Sequence, residues 1–214
     1  LQVELHISKL YPALFAHGLG DEQREGGGQG DVQNILAPQA ALRLLDVSFQ
    51  GARVSLLGAG GAAQSICKKA LEQGARSVTV FCRHPERAEK LRGDFRVQIL
   101  PFSQLSAENC GMVSDVILNA TPLGMSGVAE DFTDFSFLDG TRAAVCDIVY
   151  KPAETSLLRN CRERGLRCSN GLNMLIYQAI CAFEIFSGRT FDRDDMGAYL
   201  AAEVRRALGQ EETK

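Results

Sequence analysis

The sequence predicts an α/β protein: an open, doubly wound parallel sheet with helices on both faces, preceded by a short N-terminal extension. Three observations carry this. Between residues 53 and 208, short apolar runs with β-branched residues alternate with stretches of helical periodicity, the pattern of β-α-β units. The first run, Arg53–Leu57, opens directly onto Gly58-Ala59-Gly60-Gly61-Ala62-Ala63 and then onto a helix. The 214 residues, 45% hydrophobic and 23% charged, suffice for one large domain with a real core.

Residues 1–17 hold an apolar pattern with Tyr11, Leu14 and Phe15, the size of one short helix, and Gly18–Gly30 is a linker rich in glycine and charge. Asn34–Leu45 places Ile35, Leu36, Leu42 and Leu45 at helical spacing, and Phe49-Gln50-Gly51 turns into the first strand. Residues 1–50 are therefore expected as an extension and 51–214 as a Rossmann-type nucleotide-binding domain. Within it the pattern gives strand Arg53–Leu57, a helix to Gln73, a turn at Gly74 and strand Ser77–Cys82. A helix at Glu86–Arg92 and strands at Arg96–Leu100, Asp115–Asn119 and Ala143–Val149 follow. A helix at Glu154–Arg164, a short strand at Arg167-Cys168 and closing helices at Gly171–Phe186 and Arg193–Leu208 complete it.

The order strand, glycine turn, helix, strand turns a weak glycine pattern into a dinucleotide-binding one. Gly58 allows the tight turn, Gly60 lets the backbone approach a pyrophosphate, and small Ala63 stands where helix and strand pack closely. Backbone N–H groups at the helix start, Gly61 and Ala62 among them, would hold the phosphates. At the end of the second strand an NAD-preferring site carries Asp or Glu for the ribose 2′-OH. This chain has Cys82-Arg83-His84-Pro85-Glu86-Arg87 instead. Arg83 and Arg87 suit a 2′-phosphate through charge-assisted, forked hydrogen bonds, so the expected cofactor is NADP. A solvated basic helix start, with Glu86 paired to either arginine, is the blander account of the same residues.

Two further motifs stand at strand ends. Asp115-Val-Ile-Leu-Asn119-Ala-Thr121-Pro122-Leu-Gly124-Met125 runs from a buried strand into a loop, where ligands of an open α/β sheet sit. Asp147-Ile148-Val149-Tyr150-Lys151-Pro152 brings a phenol and an ammonium to the next strand end, where they could meet a polar substrate. Gly171-Leu-Asn-Met174-Leu-Ile-Tyr-Gln178 then opens an apolar helix in which Gln178 is the polar exception.

Composition excludes several classes. A net charge of −3 gives no reason to expect nucleic acid or an anionic membrane as partner. No apolar run approaches the ~18 residues of a membrane span, and the N-terminus lacks the basic and apolar regions of a signal peptide. Seven scattered cysteines without a C-x-x-C pair read as reduced thiols of a cytoplasmic protein. The three histidines show no metal-ligand spacing, so no metal is expected. The chain begins at Leu1 rather than Met, as a fragment or processed product would.

Together the motifs resemble the shikimate dehydrogenase and quinate/shikimate dehydrogenase family, which shows G-A-G-G-A-A/S, N-R-T, N-A-T-P-L-G-M, D-x-V-Y-x-P and G-x-x-M-L-x-x-Q. The matches run in the family's order from about Arg53 to Leu208. The resemblance implies NADPH-dependent reduction of 3-dehydroshikimate to shikimate, a step of chorismate and aromatic amino acid biosynthesis. It implies cofactor contacts at Asn119, Thr121, Pro122 and Ile148, with Gly171 and Met174 lining the nicotinamide pocket. Gln178 and Tyr150 would contact the substrate hydroxyls. The chain departs from the family at Cys82 and His84, which replace the Asn and Thr around Arg83, and so weaken the expected NADP preference.

A larger departure lies before the glycine turn. The family has there a substrate domain with N-V-T-x-P-x-K, whose lysine acts in proton transfer, and N-T-D-G, whose aspartate partners it. Neither motif is present, so residues 1–50 read as a remnant of that domain. Lys9 does not match, and Asp31 is a weak catalytic candidate, since only the acid itself agrees. Impaired or incomplete activity is the resulting expectation, and the expected assembly is a homodimer or else a complex with a separate partner chain that supplies the missing domain. The alternative class is a non-catalytic NADP-binding module. Another small NADP-dependent oxidoreductase, of the glutamyl-tRNA reductase type, fits the helix at 171–178 poorly.

Overall fold

Strands β1 (Arg53–Leu57), β2 (Ser77–Cys82), β3 (Val97–Pro101), β4 (Val116–Asn119), β5 (Ala144–Asp147) and β6 (Cys168–Ser169) form one sheet in the order β3-β2-β1-β4-β5-β6. Every neighbouring pair is parallel. The structure, a computed structural model, describes Leu42 and residues 45–207. The expected helix and linker at 1–30, Asp31 and most of the Asn34–Leu45 helix lie outside the described residues. Helices α1 (Gly61–Glu72), α2 (Ser156–Glu163), α3 (Leu172–Ser187) and α4 (Arg193–Ala207) complete the doubly wound architecture.

Alternation along the strands divides the core between two faces. Val54 and Leu56 of β1 and Val78 and Val80 of β2 pack under Ala63, Ile66, Cys67 and Ala70 of α1. Leu42 and Phe49, both 1% exposed and both before the expected boundary at residue 51, lie in this same cluster. Leu57, Phe81, Ile117 and Val145 point the other way, against Phe137, Leu138 and Leu157 and Cys161 of α2. Fully burying each large aliphatic or aromatic side chain contributes ~1.5–3 kcal/mol, which outweighs the weak propensities of four- and five-residue strands. A third, smaller cluster joins Leu172, Ile176 and Ile180 of α3 to Ala201 of α4.

Where element ends differ from the sequence pattern, a side chain has taken the backbone. Arg96 was expected to open β3, but its N–H and its guanidinium both bind Asp94, so the strand starts at Val97. Asp115 was expected in β4; its carboxylate instead accepts from the Arg53 N–H and guanidinium. β5 ends two residues early because Val149 N–H turns back to Asp147 Oδ1, and Thr155 caps α2 by accepting from Leu158 N–H. The helix expected at Glu86–Arg92 is a 3₁₀ turn, Pro85–Leu91. Its apolar residues Ala88 and Leu91 recur every third position, which matches three residues per turn rather than 3.6.

Candidate functional site

The winding of the chain reverses beside β1, which pairs with β2 on one side and β4 on the other. Loops leaving the carboxyl ends of β1 and β4 therefore diverge, and the crevice between them is where an open α/β sheet binds ligands. Gly58 makes the turn out of β1 at φ +108°, and its N–H donates to Phe81 C=O. A Cβ here would lie 2.8 Å from Ala120 C=O, so only glycine lets the two loops meet. Gly60 caps α1 in extended backbone without a side-chain bond, and a Cβ at Gly60 or Gly61 would meet nothing within 4 Å. The first turn of α1 carries no acid. Its N–H groups and positive dipole end thus face open space, a ready place for a phosphate.

A cavity of about 330 Å³ lies over this turn. It is lined by Gly58 and Gly60 of the turn, by Cys82, Arg83, His84 and Arg87 after β2, and by Ala120, Thr121 and Pro122 after β4. The sequence did not single out Phe102 or Leu123, which also line it; Phe102 had a usable signal, since it directly follows β3. Both expected 2′-phosphate ligands therefore share one cavity with the glycine turn. Glu86, which the blander account pairs with an arginine, has its Oε1 3.2 Å from His84 Nδ1, while Arg83 Nη1 donates to Glu130 Oε2 at 3.1 Å.

A second cavity of about 440 Å³ shares the Ala120–Pro122 wall and extends over Met125, Ser126, Ile148, Tyr150 and Lys151. Ile148 and Met174, together with Ala59 and Ala120, pack half-buried against the sheet core below it. Gly171 brings α3 to this point: its N–H donates to Val149 C=O, and a Cβ on it would lie 1.9 Å from Ile148 C=O. Gln178 follows Met174 by one turn on the same helix face. Tyr150 also packs against the α3–α4 cluster.

Beneath the two cavities runs a fully buried polar chain. Asp147 accepts from Asn119 Nδ2 at 2.9 Å, Val149 N–H at 3.0 Å and Thr155 Oγ1 at 2.7 Å. Asn119 Oδ1 accepts in turn from Thr121 Oγ1 at 2.6 Å and Thr121 N–H at 3.0 Å. Asn119, expected at the cofactor, is thus 0% exposed and spends its side chain holding the Thr121–Pro122 loop. Burial pushes the Asp147 carboxyl up to about 6, against the pull of its three donors. It is ionised at neutral pH, as an all-acceptor role requires.

All seven cysteines are unbridged. Burial pushes the Cys67 and Cys110 thiols up to about 11 and those of Cys146 and Cys161 up to about 12, so they remain protonated and unreactive at neutral pH. Among the described residues no group of three His, Cys, Asp or Glu could hold a metal, and no helix is long and apolar enough to cross a membrane.

The chain matches known proteins in both sequence and fold. The family model described as shikimate / quinate 5-dehydrogenase matches residues 39–125, and that of the shikimate 5′-dehydrogenase C-terminal domain matches residues 171–196. A shikimate dehydrogenase (NADP(+)) of Methanothrix thermoacetophila is 36% identical over 97% of this chain and 75% of its own length. One from Streptococcus gordonii is 37% identical over 72% of this chain and 56% of its own. Among solved structures, a chorismate mutase/shikimate 5-dehydrogenase fusion protein from Clostridium acetobutylicum superposes with a TM-score of 0.69 at 28% identity, over 81% of this chain and 62% of its own. Shikimate 5-dehydrogenase from Thermus thermophilus, in complex with NADP(H) and shikimate, gives 0.65 at 27% identity over 80% of this chain and 61% of its own.

Proposed function

Given that the chain belongs to the shikimate dehydrogenase family, we propose that it carries the cofactor-binding part of an NADPH-dependent reduction of 3-dehydroshikimate to shikimate. One observation supports this most: the two cavities meet along the Ala120–Pro122 wall, one lined by the glycine turn and the other by Ile148 and Tyr150. A dinucleotide fits that layout, with its phosphates over Gly60 and the first-turn N–H groups of α1. Arg83 and Arg87 take the 2′-phosphate, and Ile148, Gly171 and Met174 border the nicotinamide. NADPH supplies the hydride when bound. Tyr150 and Gln178 orient the substrate hydroxyls from the cofactor side. The unbridged cysteines suit a reducing, cytoplasmic compartment.

The assignment of Arg83 is tested by Arg83→Ala. Losing a charge-assisted bond costs ~1.5–3 kcal/mol, so the NADP+ dissociation constant should rise about tenfold or more while that of NAD+ stays level. A change within about twofold for NADP+ removes Arg83 from the site.

For this polypeptide alone we expect little turnover. General acid–base assistance contributes ~10²–10⁴ in rate, and the family's lysine and aspartate motifs are absent from this sequence. A pocket lined from the cofactor side only also orients the substrate poorly. The other half would come from another segment or from a different partner chain, since a second copy of this sequence lacks the same motifs. The same missing motifs support a second reading, a non-catalytic NADP-binding module. A steady-state assay with NADPH and 3-dehydroshikimate giving kcat within the usual ~1–10³ s⁻¹ would overturn both the low turnover and the second reading.

A further inference from the structure

The strand end that precedes Arg83 has no acid, yet a carboxylate stands beside it. Glu130 reaches Arg83 Nη1 at 3.1 Å from 47 residues further along the chain. Its backbone is fixed from both sides. Gly124 N–H donates to Glu130 C=O at 3.2 Å, and the adjacent Asp131 accepts from Ser156 Oγ at the start of α2 at 2.6 Å. The loop between β4 and β5 thus carries Glu130 back to the rim of the first cavity. Both side chains of the pair are exposed, 66% for Arg83 and 64% for Glu130.

Position and charge give this contact a consequence for cofactor choice. A 2′-phosphate carries about −1.5 to −2 charges at neutral pH, as a phosphomonoester does. To bind Arg83 it must take the guanidinium from Glu130 and then tolerate a neighbouring carboxylate. A ribose 2′-OH has no such conflict, since it can donate to a carboxylate, the arrangement an acid at the strand end provides in NAD-preferring sites. We propose that Glu130 is a specificity-determining residue of the cofactor site, competing with the 2′-phosphate of NADP for Arg83 and accepting the 2′-OH of NAD. The chain therefore discriminates only narrowly between the two cofactors. This rests on Arg83 being the 2′-phosphate ligand.

The test is calorimetric titration of the purified chain with NADP+ and with NAD+ at low ionic strength, for the wild type, Glu130→Gln and Arg83→Ala. Exposed ion pairs are weak, so Glu130→Gln should tighten NADP+ about threefold to fivefold. NAD+ should bind no tighter than before, and the NADP+ gain should shrink as salt rises. The exposed site leaves the fold untouched, which circular dichroism checks. A ratio of the two affinities unchanged within twofold, or shifted toward NAD+, overturns the proposal. If that happens while Arg83→Ala still weakens NADP+, the role of Arg83 stands and only Glu130's is lost. If Arg83→Ala leaves NADP+ unchanged, the assignment of Arg83 fails first and Glu130's falls with it.

Discussion

Gly60→Val is expected to abolish dinucleotide binding in a protein that still folds. Gly60 has φ −70° and ψ −175°, extended backbone that valine adopts readily, and an added Cβ meets nothing within 4 Å. The cost to folding is limited to a poorer helix cap, about 1 kcal/mol or less. The empty space around Gly60 is nevertheless the space over the first turn of α1, and the branched side chain would stand between a pyrophosphate and the N–H groups there. Two or three charge-assisted hydrogen bonds would be lost at ~1.5–3 kcal/mol each, so affinity should fall by ~10²-fold or more. NADPH titration alongside circular dichroism reads both halves of the expectation. A folded variant that binds within about tenfold of the wild type would remove the glycine turn from the site.

Gly171→Ala is expected to do the reverse, damaging the fold first. The new Cβ would lie 1.9 Å from Ile148 C=O and 2.4 Å from its carbon, both backbone atoms that cannot rotate away. The start of α3 must retreat from the end of β5, stretching the Gly171 N–H bond to Val149 C=O and loosening Leu172 and Ile176. Overpacking against rigid neighbours costs ~1–3 kcal/mol and more when a buried bond goes with it. A loss of about 3 kcal/mol would lower Tm by roughly 10 °C in a domain of this size. Met174 moves with the helix, so cofactor affinity should drop as well. A urea midpoint equivalent to less than about 1 kcal/mol of change would show that the close approach at Gly171 is not real.

The strands were legible because the sheet is parallel and covered on both faces: β4 and β5 are buried at every position, and such strands read as unbroken apolar runs. Their ends were not, since Asp94, Asp115 and Asp147 each bind backbone or guanidinium nearby, and periodicity carries no trace of such bonds. The glycine turn, Arg83, Arg87 and Tyr150 could be singled out as candidates because each lies within a few residues of a strand's carboxyl end, where ligand contacts of an open α/β sheet concentrate. Glu130 could not be found this way. It lies in a loop without periodicity, and only the folding of that loop across the crevice makes it a neighbour of Arg83. No acid stands at the strand end itself, while the fold brings Glu130 to Arg83 from the loop between β4 and β5. Asn119 stands at the same kind of strand end, but its side chain turns inward to Asp147 and Thr121.

Asn119, Asp147, Thr121 and Thr155 form a chain in which Asn119 Oδ1 and the Asp147 carboxylate each serve two or more donors, all within buried surroundings. Replacing one member strands its neighbour, at about 1–3 kcal/mol for each buried group left unpaired. Substitutions there are mutually dependent, and a lineage can change them only in compatible sets. Arg83, His84, Arg87 and Glu130 on the rim are exposed and carry no such debt to folding. The rim is thus free to drift one substitution at a time, on a crevice whose shape cannot drift with it.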